Sequence, residues 1–486
     1  MKTCTEYLLM PLLLASLGSL TTRTGKAQTL TVLHTFAAIP FGGPLTNSDG
    51  GNPKSELLLL SNSLYGTATQ GGLPGNGTVY KVNTDGSGFT NLRSFPATFA
   101  SSGVYTNSDG AYPAAVLISS GNTLYGTARS GGSSGYGTVF ALSNDGTGFT
   151  NLHNFTGGSD GANPWAGLVL SGNILYGTAE AGGTSGNGTV FALKTDGTGF
   201  TNLHSFSALN NSTNDDGAHP YADLVLSGNA LYGTASGGGN WSNGTVFALN
   251  TDGTGFTNLH SFAAGVGSFP NITNSDGAFP EAGLVLSGNI LYGTAETGGT
   301  SGNGTVFALN TDGTGFTNLH IFSALNNSTN NDGVHSLARL VLSGETLYGV
   351  TTSGGVSRGG TIFALNTDGT GFTALHSLTG ASEGFDAWAG LVVSGNTLYG
   401  TANFGGTGGS GTVFSLFTPP NLSLASVGTN VVLTWSTNAT GFILQSTTNL
   451  GAPLWTTNSL TPVVINGQNT VTNTMSGPQQ FYRLRQ

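Results

Sequence analysis

Residues 168–206, with the sequence LVLSGNILYGTAEAGGTSGNGTVFALKTDGTGFTNLHSF, decide the fold of this chain, because this segment or a close variant of it occurs seven times. Each copy is marked by the tyrosine of a Leu-Tyr-Gly core. These tyrosines are Tyr65, Tyr125, Tyr176, Tyr232, Tyr292, Tyr348 and Tyr399, at spacings of 60, 51, 56, 60, 56 and 51 residues. A period near 50 residues is typical of the blades of a β-propeller.

Each copy contains four short candidate strands, which in the third copy are residues 168–170, 175–179, 189–193 and 200–206. The turns between them contain Ser171-Gly172-Asn173 and an Asp-Gly pair within residues 195–199, both typical of tight hairpin connections. The first and third strands are apolar at successive positions, which indicates that both of their faces are covered. The fourth strand mixes in polar residues and suits an outer edge.

A closed ring of repeats explains this pattern better than a string of separate modules. A module of about 50 residues without cysteine would lack enough core to fold alone. A lone copy of the fourth strand, residues 30–36, precedes the first repeat, and the last repeat ends after residues 411–416 without one. We therefore predict an all-β chain with a seven-bladed β-propeller over residues 28–417, closed by the N-terminal strand.

The repeat units, LYGTA..GG..GNGTVF.L..DGTGFTNLHSF, resemble the Gloeobacter/Verrucomicrobia-type (GloVer) tandem repeat of secreted bacterial proteins. This resemblance implies an exported or cell-surface propeller and no established activity. After a linker at residues 418–420, residues 421–486 are predicted to form a small β-sandwich with strands at 431–435, 442–446 and 481–485. The pattern W…LQS…W…FYRLR there resembles fibronectin-III-like C-terminal modules of exported proteins.

The N-terminal residues 1–27 have the pattern of a secretory signal, with Lys2, an apolar run over residues 7–20 and a small-residue cleavage site at Ala27. The single cysteine, Cys4, lies in this segment, so the mature chain would have neither disulfides nor cysteine ligands. Removal of residues 1–27 lowers the number of Lys and Arg residues from 12 to 9 and the number of Asp and Glu residues from 22 to 21. The mature chain would then have a net charge of −12. This charge disfavours nucleic acid as a partner. No later apolar run is long enough for a membrane span, and we expect a secreted or cell-surface monomer.

Alternating strand direction places the connections from fourth to first strand and from second to third strand at one end of the sheets. These connections differ in length between repeats, and such loops commonly carry binding sites. Five aromatic residues lie there and are the candidate ligand-binding residues: Trp165, Tyr221 and Trp388 at equivalent positions, and Trp241 and Phe404 in second-to-third loops. They either stack on a sugar or close the space between blades. Glu180 and Glu296 occupy equivalent loops and are either acids of a site or solvated side chains.

An acidic residue precedes the first strand of every repeat: Asp49, Asp109, Asp160, Asp216, Asp276, Asp332 and Glu383. They either form a carboxylate ring that binds a cation such as calcium or cap their own turns. Residues 250–255 and their copies resemble a calcium loop but lack its final Glu, which favours a hairpin turn. The fourth strands carry residues too far apart to share a metal: His34, Arg93, His153, His204, His260, His320 and His376. We expect no cofactor, with structural calcium as the alternative.

The sequence contains no His-Glu-x-x-His run, Gly-x-Ser-x-Gly elbow or phosphate-binding loop. The leading hypothesis is therefore a non-enzymatic secreted scaffold that binds a polysaccharide or a surface protein through its variable loops. One alternative is a polysaccharide lyase or hydrolase with its site at the same loops, since propeller sites draw on several blades and have no linear motif. The other alternative is a structural component of the cell surface.

Overall fold

The computed structural model describes residues 28–40, 45–101, 103–267, 269–270, 272–420, 422–436, 441–450, 453–465, 468–474 and 479–485. The predicted signal peptide and Cys4 lie outside the described residues. Every regular element within those residues is a β-strand, which confirms the predicted all-β class. In the described part of the chain no helix is long and apolar enough to cross a membrane. The chain divides into two compact units, the larger of which comprises Thr31–Val392 and Tyr399–Ser415.

The strands of the repeats follow one scheme. Before and within the first two repeats they are β1 (Leu30–Thr35), β2 (Leu58–Leu60), β3 (Ser63–Ala68), β4 (Thr78–Asn83), β5 (Thr90–Ser94), β6 (Phe99–Ser101), β7 (Val104–Thr106), β8 (Ile118–Ser120), β9 (Thr123–Ala128), β10 (Thr138–Ser143) and β11 (Thr150–Asn154). The third and fourth repeats contain β12 (Val169–Ser171), β13 (Ile174–Ala179), β14 (Thr189–Lys194), β15 (Thr201–Ser205), β16 (Val225–Ser227), β17 (Ala230–Ala235), β18 (Thr245–Asn250) and β19 (Thr257–Ser261). The last three repeats contain β20 (Val285–Ser287), β21 (Ile290–Ala295), β22 (Thr305–Asn310), β23 (Thr317–Ile321), β24 (Val341–Ser343), β25 (Thr346–Val350), β26 (Thr361–Asn366), β27 (Thr373–Ser377), β28 (Val392–Ser394), β29 (Thr397–Ala402) and β30 (Thr412–Phe417).

Each of the first six repeats forms a four-stranded antiparallel sheet whose strands follow chain order, as in β12-β13-β14-β15. The sheet of the seventh repeat has the order β1-β30-β29-β28, so its outer strand comes from the N-terminal segment. The extra hairpin β6-β7 lies in the long connection before the second repeat. Because strand direction alternates, we call the end with the fourth-to-first and second-to-third connections the loop end, and the other the turn end.

Side-chain alternation explains why the second and third strands are apolar at successive positions. On β13, Leu175 packs in a buried cluster with the second repeat, whereas Tyr176 packs in a cluster with the fourth. On β14, Phe191 and Val190 likewise belong to opposite clusters. Successive residues of a strand point to opposite faces, so each sheet is covered on both sides by its neighbours. The cores of the larger unit therefore lie between successive repeats.

The seventh repeat contacts the first through the same kinds of contact that join other neighbours. Tyr399 and Val413 share a buried cluster with Leu57 and Leu64 of the first repeat. Between most neighbouring repeats, a threonine hydroxyl of the second strand donates to a carbonyl of the next repeat, as Thr178 Oγ1 does to Ala222 O at 3.1 Å. Thr401 Oγ1 of the seventh repeat donates in the same way to Ser55 O of the first repeat at 3.3 Å. In the sixth repeat Val350 stands at this position.

The glycine of the Leu-Tyr-Gly core is required by packing within the sheet. A Cβ atom on Gly177 would lie 2.7 Å from Phe191 Cζ and 2.8 Å from Leu168 Cδ2. Both neighbours are buried core side chains, so neither can yield without a loss of packing. The repeated Leu-Tyr-Gly and Val-Phe motifs are therefore two halves of one packing arrangement.

Of the described residues, the second unit contains 28–30, 393–398 and those from 416 to 485. Its own strands are β31 (Ser423–Val427), β32 (Asn430–Ser436), β33 (Ile443–Thr447), β34 (Thr456–Thr457), β35 (Val463–Ile465), β36 (Gln468–Thr474) and β37 (Phe481–Arg485). They form two antiparallel sheets, β31-β32-β36-β35 and β34-β33-β37. Side chains of both sheets, among them Leu433, Trp435 and Leu484, form one buried cluster.

Candidate functional site

The loop end carries nearly all of the exposed large apolar side chains of the larger unit. They are Leu45, Leu73, Phe99, Tyr105, Tyr136, Leu209, Trp241, Val266, Phe269, Leu325, Val356, Phe385 and Phe404. Among the described residues of this unit, Ile290 is the only exposed large apolar side chain at the turn end. Exposed apolar side chains gathered on one side of a protein indicate an interaction surface. The loop end is therefore where a binding site is expected.

Equivalent positions of all seven repeats meet around one cavity of about 340 Å³, which we call the shared cavity. Each repeat contributes the residues that lie just before its first strand. The lining residues are Lys54, Ser55, Glu56, Ala114, Ala115, Val116, Trp165, Tyr221, Ala222, Asp223, Glu281, Ala282, Gly283, Leu337, Arg339, Trp388, Ala389 and Gly390. The volume is that of a site for a small ligand or for one or two units of a polymer.

A backbone kink directs these residues into the shared cavity. In the third repeat Asn163 has φ 54°, Pro164 follows, and Trp165 is the next residue. The amide of Asn163 donates to Tyr136 O of the second repeat at 2.8 Å, and its carbonyl accepts from the amide of Glu180 at 3.2 Å. The same left-handed φ recurs in every repeat, at Asn52, Tyr112, Asn163, His219, Phe279, His335 and Asp386. Non-glycine residues rarely adopt this conformation, so the surrounding hydrogen bonds hold it in place.

Two of the predicted ligand-binding residues, Trp165 and Tyr221, come together with Glu180 in the third and fourth repeats. Glu180 accepts a hydrogen bond from Trp165 Nε1 at 2.7 Å on one oxygen and from Tyr221 OH at 2.6 Å on the other. The ring centroids of Trp165 and Tyr221 lie 6.4 Å apart. Burial raises the pKa of Tyr221, and the hydrogen bond to Glu180 adds to the effect. The carboxylate therefore fixes two aromatic rings in the cavity wall.

Two cations lie against the cavity tryptophans. Lys54 Nζ is 4.0 Å from the ring centroid of Trp388, and the guanidinium carbon of Arg129 is 4.1 Å from that of Trp165. Several buried polar atoms in this region have no hydrogen-bond partner, and they are Arg129 Nε, His219 Nδ1, Arg339 Nε, Trp388 Nε1 and Asn403 Oδ1. Buried polar groups are normally paired, so unpaired atoms beside a cavity indicate that a ligand or water completes their bonding.

Two glutamates of the fifth repeat have unusual acidity. Burial, together with the negative charges of Glu296 and Glu180, raises the pKa of Glu281 to about 8. Burial also raises the pKa of Glu296 to about 7. A carboxyl group of this kind holds its proton near neutral pH and can donate a hydrogen bond. Perturbed carboxyl groups in a cavity are typical of functional sites.

A charged cluster from the first, fourth and sixth repeats lies in the cavity wall. Arg339 Nη2 donates to Glu56 Oε1 at 3.1 Å, and Asp223 accepts from the amide of Gly167. Burial raises the pKa of both Glu56 and Asp223, and Arg339 opposes the shift at each of them. These residues need the space that neighbouring glycines leave, because a Cβ on Gly390 would lie 2.8 Å from Glu56 Oε2.

The acidic residues before the first strands lie against side chains of the fourth strands. The pairs are His34–Asp49, Arg93–Asp109, His153–Asp160, His204–Asp216, His260–Asp276, His320–Asp332 and His376–Glu383. In the six histidine pairs Nε2 lies 2.9–3.1 Å from a carboxylate oxygen. Each acid therefore bonds a side chain of the fourth strand that precedes it, at the boundary between two consecutive repeats. In the described part of the chain no group of three or more His, Cys, Asp or Glu side chains is placed to hold a metal ion.

The remaining predicted residues lie elsewhere at the loop end. Trp241, 57% exposed, and Phe404, 39% exposed, are not among the residues that line the shared cavity. The ring of Phe404 lies 5.7 Å from that of Phe385. At the turn end, Asp252 Oδ1 accepts hydrogen bonds from the amide and hydroxyl of Thr254 at 2.9 and 2.6 Å, as in a hairpin turn.

Sequence reasoning did not identify the charged residues of the cavity. Lys54 and Glu281 occupy the same repeat position as Trp165, and Arg129 occupies that of Glu180. Aligning the repeats and noting where a charged residue replaces an apolar or small one would have revealed them. Glu56, Asp223 and Arg339 also share one repeat position, two residues further along the chain.

The repeated four-stranded sheets and the cavity to which every repeat contributes define an all-β tandem-repeat protein with a ligand-sized site. The chain belongs to the Gloeobacter/Verrucomicrobia repeat family, whose sequence profile matches residues 96–279 and 269–459. The predicted resemblance to this repeat family is confirmed. No functionally curated protein matches the chain.

The solved structures to which this chain is similar have low sequence identity to it. An oligogalacturonate lyase from Vibrio parahaemolyticus is 9% identical with a TM-score of 0.49, over 80% of this chain and 93% of that one. An oligogalacturonate lyase in complex with manganese is 9% identical with a TM-score of 0.45, over 76% and 90%. A chain of a nidogen/laminin complex is 14% identical with a TM-score of 0.37, over 61% and 90%. Similarities at these scores indicate neither the activity nor the ligand of this chain.

Proposed function

We propose that the larger unit is a closed seven-bladed β-propeller that binds an extracellular carbohydrate in the shared cavity. Closure is supported by the pairing of β1 with β30 and by the contacts of Tyr399 and Thr401 with the first repeat. It is also supported by the cavity itself, since all seven repeats line it. A closed ring leaves no sheet without a neighbour to cover its apolar face.

The observation that carries the binding proposal is the pair of aromatic rings fixed by Glu180. Trp165 and Tyr221 are held by hydrogen bonds to one carboxylate and lie in the cavity wall, and Trp388 lines the same cavity. Sugars present apolar C–H faces and a rim of hydroxyl groups. Rigid rings with polar groups between them match both features. Apolar side chains around the loop end would extend the contact along a polymer.

Binding of soluble oligosaccharides by the full chain tests this proposal. We expect Trp165→Ala and Trp388→Ala each to weaken binding of the recognised oligosaccharide about tenfold or more, because each removes a ring of the cavity. Trp241→Ala is the matched control, since Trp241 is exposed outside the cavity, and short oligosaccharides should bind this variant normally. Isothermal titration calorimetry measures both effects. Unchanged affinity in both cavity variants would remove the proposed site.

A second candidate function is a polysaccharide lyase or hydrolase at the same cavity. The raised pKa of Glu281 and of Glu296 favours it, because a carboxyl group that titrates near neutral pH can act as a general acid or base. Release of new reducing ends from polysaccharide, lost in Glu281→Gln while binding remains, would support an enzyme. Binding without turnover would support the scaffold. A protein that binds no glycan and self-assembles would instead be a structural surface component.

The proposal includes export and a second module. Residues 1–27 act as a secretion signal cleaved after Ala27, residues 28–417 form the propeller, and residues 421–486 form a fibronectin-III-like module. The mature protein is a monomer without a required cofactor, and structural calcium remains the alternative. Mass spectrometry of the exported protein, size-exclusion chromatography and a thermal melt with and without chelator test these points. A chelator-sensitive midpoint would establish a bound metal.

A further inference from the structure

Cations are scarce in this chain, and their placement is informative. Residues 28–486 contain 9 Lys and Arg side chains against 21 Asp and Glu. Two of the cations, Lys54 and Arg339, line the shared cavity, and Arg129 stacks on its Trp165. A chain with so few cations places three of them at one cavity.

Two of these three cations have no ion-pair partner. Arg339 pairs with Glu56, whereas neither Lys54 nor Arg129 forms an ion pair with any described residue. The carboxylate whose charge acts on Lys54 is that of Asp386, which accepts a hydrogen bond from Asn403 Nδ2 at 3.0 Å. Lys54 and Arg129 are instead held by the faces of Trp388 and Trp165. The rings fix the positions of the cations without neutralising them.

Unused hydrogen-bond donors lie in the same region. Arg129 Nε and Trp388 Nε1 are both buried and without a partner. Trp388, Lys54 and Arg129 belong to the seventh, first and second repeats, which are consecutive in their packing contacts. The carboxyl groups of Glu180, Glu281 and Glu296 belong to the third and fifth repeats. The unpaired cations and donors therefore come from three consecutive repeats, and Glu56, the lining carboxylate of these repeats, is paired with Arg339.

We propose that the carbohydrate bound in the shared cavity carries an anionic group, a carboxylate or a sulfate ester, that lies against Lys54 and Arg129 and accepts from Trp388 Nε1. This inference rests on the proposed carbohydrate-binding function. Partly buried cations without partners are costly, and an anion provides charge-assisted hydrogen bonds to both. Burial lowers the pKa of Lys54, as does the neighbouring charge of Arg129, against the opposite effect of Asp386. A bound anion would stabilise the charged ammonium group of Lys54 and so oppose this lowering of its pKa.

Glu281 of the cavity lining, with Glu296 close enough for its charge to act on Glu281, fits the rest of such a ligand. Protonated Glu281 can donate a hydrogen bond, and Glu296 can donate or accept one. Hydroxyl groups both donate and accept, so they suit this mixture. A second anionic group near these glutamates and Glu180 would be repelled. We therefore expect one anionic group to be recognised per cavity.

The test compares matched ligands on the full mature chain by isothermal titration calorimetry. One pair is a uronic acid trisaccharide and its methyl ester, and the other is a sulfated galactan trisaccharide and its unsulfated form. We expect at least one acidic member to bind about tenfold or more tightly than its neutral partner, since a charge-assisted contact exists only in the acid. The pair that shows the preference identifies carboxylate or sulfate as the source. This comparison needs no variant and does not depend on how a variant folds.

Variants then locate the anionic group. Lys54→Met and Arg129→Gln should each remove most of the preference for the acid over its neutral partner, whereas Arg129→Lys should keep part of it. Lys194→Met is the matched control, because this exposed lysine of the turn end lies far along the strand from the loop end. Equal binding of acid and neutral partner would overturn the inference and leave the proposed carbohydrate site intact. Failure of every trisaccharide to bind would overturn both.

Discussion

The loop end and the turn end of the same sheets use carboxylates in opposite ways. At the turn end, Asp196 Oδ1 accepts from the amide and hydroxyl of Thr198, two residues away, at 2.9 and 2.7 Å. At the loop end, Glu180 accepts from Trp165 and from Tyr221, which lies 41 residues away in the next repeat. The turn completes its bonding within itself, whereas the cavity is assembled from separate repeats.

The pKa shifts follow the same division. Hydrogen bonds from the hydroxyl and then the amide of Thr198 lower the pKa of Asp196 in an open, solvated turn. Burial raises the pKa of Glu281 at the cavity, where no cation of its own repeat offsets it. Identical turns in successive repeats therefore point to scaffold, and divergent, buried charges at one repeat position point to a site.

The largest expected effect concerns the charged cluster of the cavity. Arg339→Met leaves Glu56 and Asp223 partly buried without their cation, which should lower the free energy of unfolding by about 3 kcal/mol, the lower end for a buried pair because Arg339 is partly exposed. Chemical denaturation measures it. Adding Glu56→Gln and Asp223→Asn should recover part of the loss, and Lys194→Met at the turn end should leave stability nearly unchanged. If Arg339→Met and Lys194→Met lower the free energy of unfolding equally, the charges of the loop end are no more important for stability than those of the turn end.

A smaller loss is expected from Glu180→Ala. This change removes the acceptor of both Trp165 Nε1 and Tyr221 OH, and an unpaired donor in a partly buried site costs about 1–3 kcal/mol. Thermal and urea unfolding measure the loss. Glu345→Ala is the matched control, because Glu345 is an exposed glutamate in a turn-end hairpin. If the control is as destabilising as Glu180→Ala, the two rings are not held by this carboxylate.

The pH dependence of stability separates the two ends further. Between its ordinary value of 4.5 and about 8, Glu281 stays protonated in the folded chain and is ionised in the unfolded chain. The folded state then binds more protons, so stability falls as pH rises through this window, by at most about 1.4 kcal/mol per pH unit. Melting curves from pH 5 to 8 should show this fall, and Glu281→Gln should flatten it. A slope unaffected by the substitution would mean that other groups cause it.

The smallest effect is expected at the turn end itself. Asp196→Asn keeps the Oδ1 acceptor of the turn and removes only an exposed charge. We expect an unchanged thermal midpoint and unchanged carbohydrate binding at neutral pH. The same substitution at Asp252 or Asp312 should behave alike, because their turns have the same hydrogen bonds. A loss of binding in any of them would place part of the site at the turn end.

The strands were predictable because their pattern is local and repeated seven times. For the third repeat, the predicted segments 175–179 and 189–193 differ by one residue at one end from the observed Ile174–Ala179 and Thr189–Lys194. The fourth was predicted as 200–206 and is shorter, at Thr201–Ser205. Strand ends depend on ladder hydrogen bonds with neighbours, which sequence patterns locate only approximately.

The site was only partly predictable. Trp165, Tyr221 and Trp388 were identified because they are the aromatic residues at a repeat position that is otherwise aliphatic or charged. The pairing of Lys54 with Trp388 could not be inferred, since these residues are far apart in sequence and belong to the first and seventh repeats. The histidines lie on the fourth strands, which the sequence predicted to be the outer edges of the sheets. Their contacts with the acidic residues before the next repeat's first strand could not be inferred and are seen only in the structure.

The sequence by itself determined the all-β class, the repeat period and the turn chemistry, because hairpins and strand alternation depend on residues a few positions apart. Tertiary structure decided which charges share a cavity and which polar atoms lack partners. Residues 168–206 specify one repeat almost completely, but a cavity lined by seven repeats depends on contacts between residues that are hundreds of positions apart, such as Arg339 and Glu56. Burial at that cavity then sets the pKa values of its carboxyl groups.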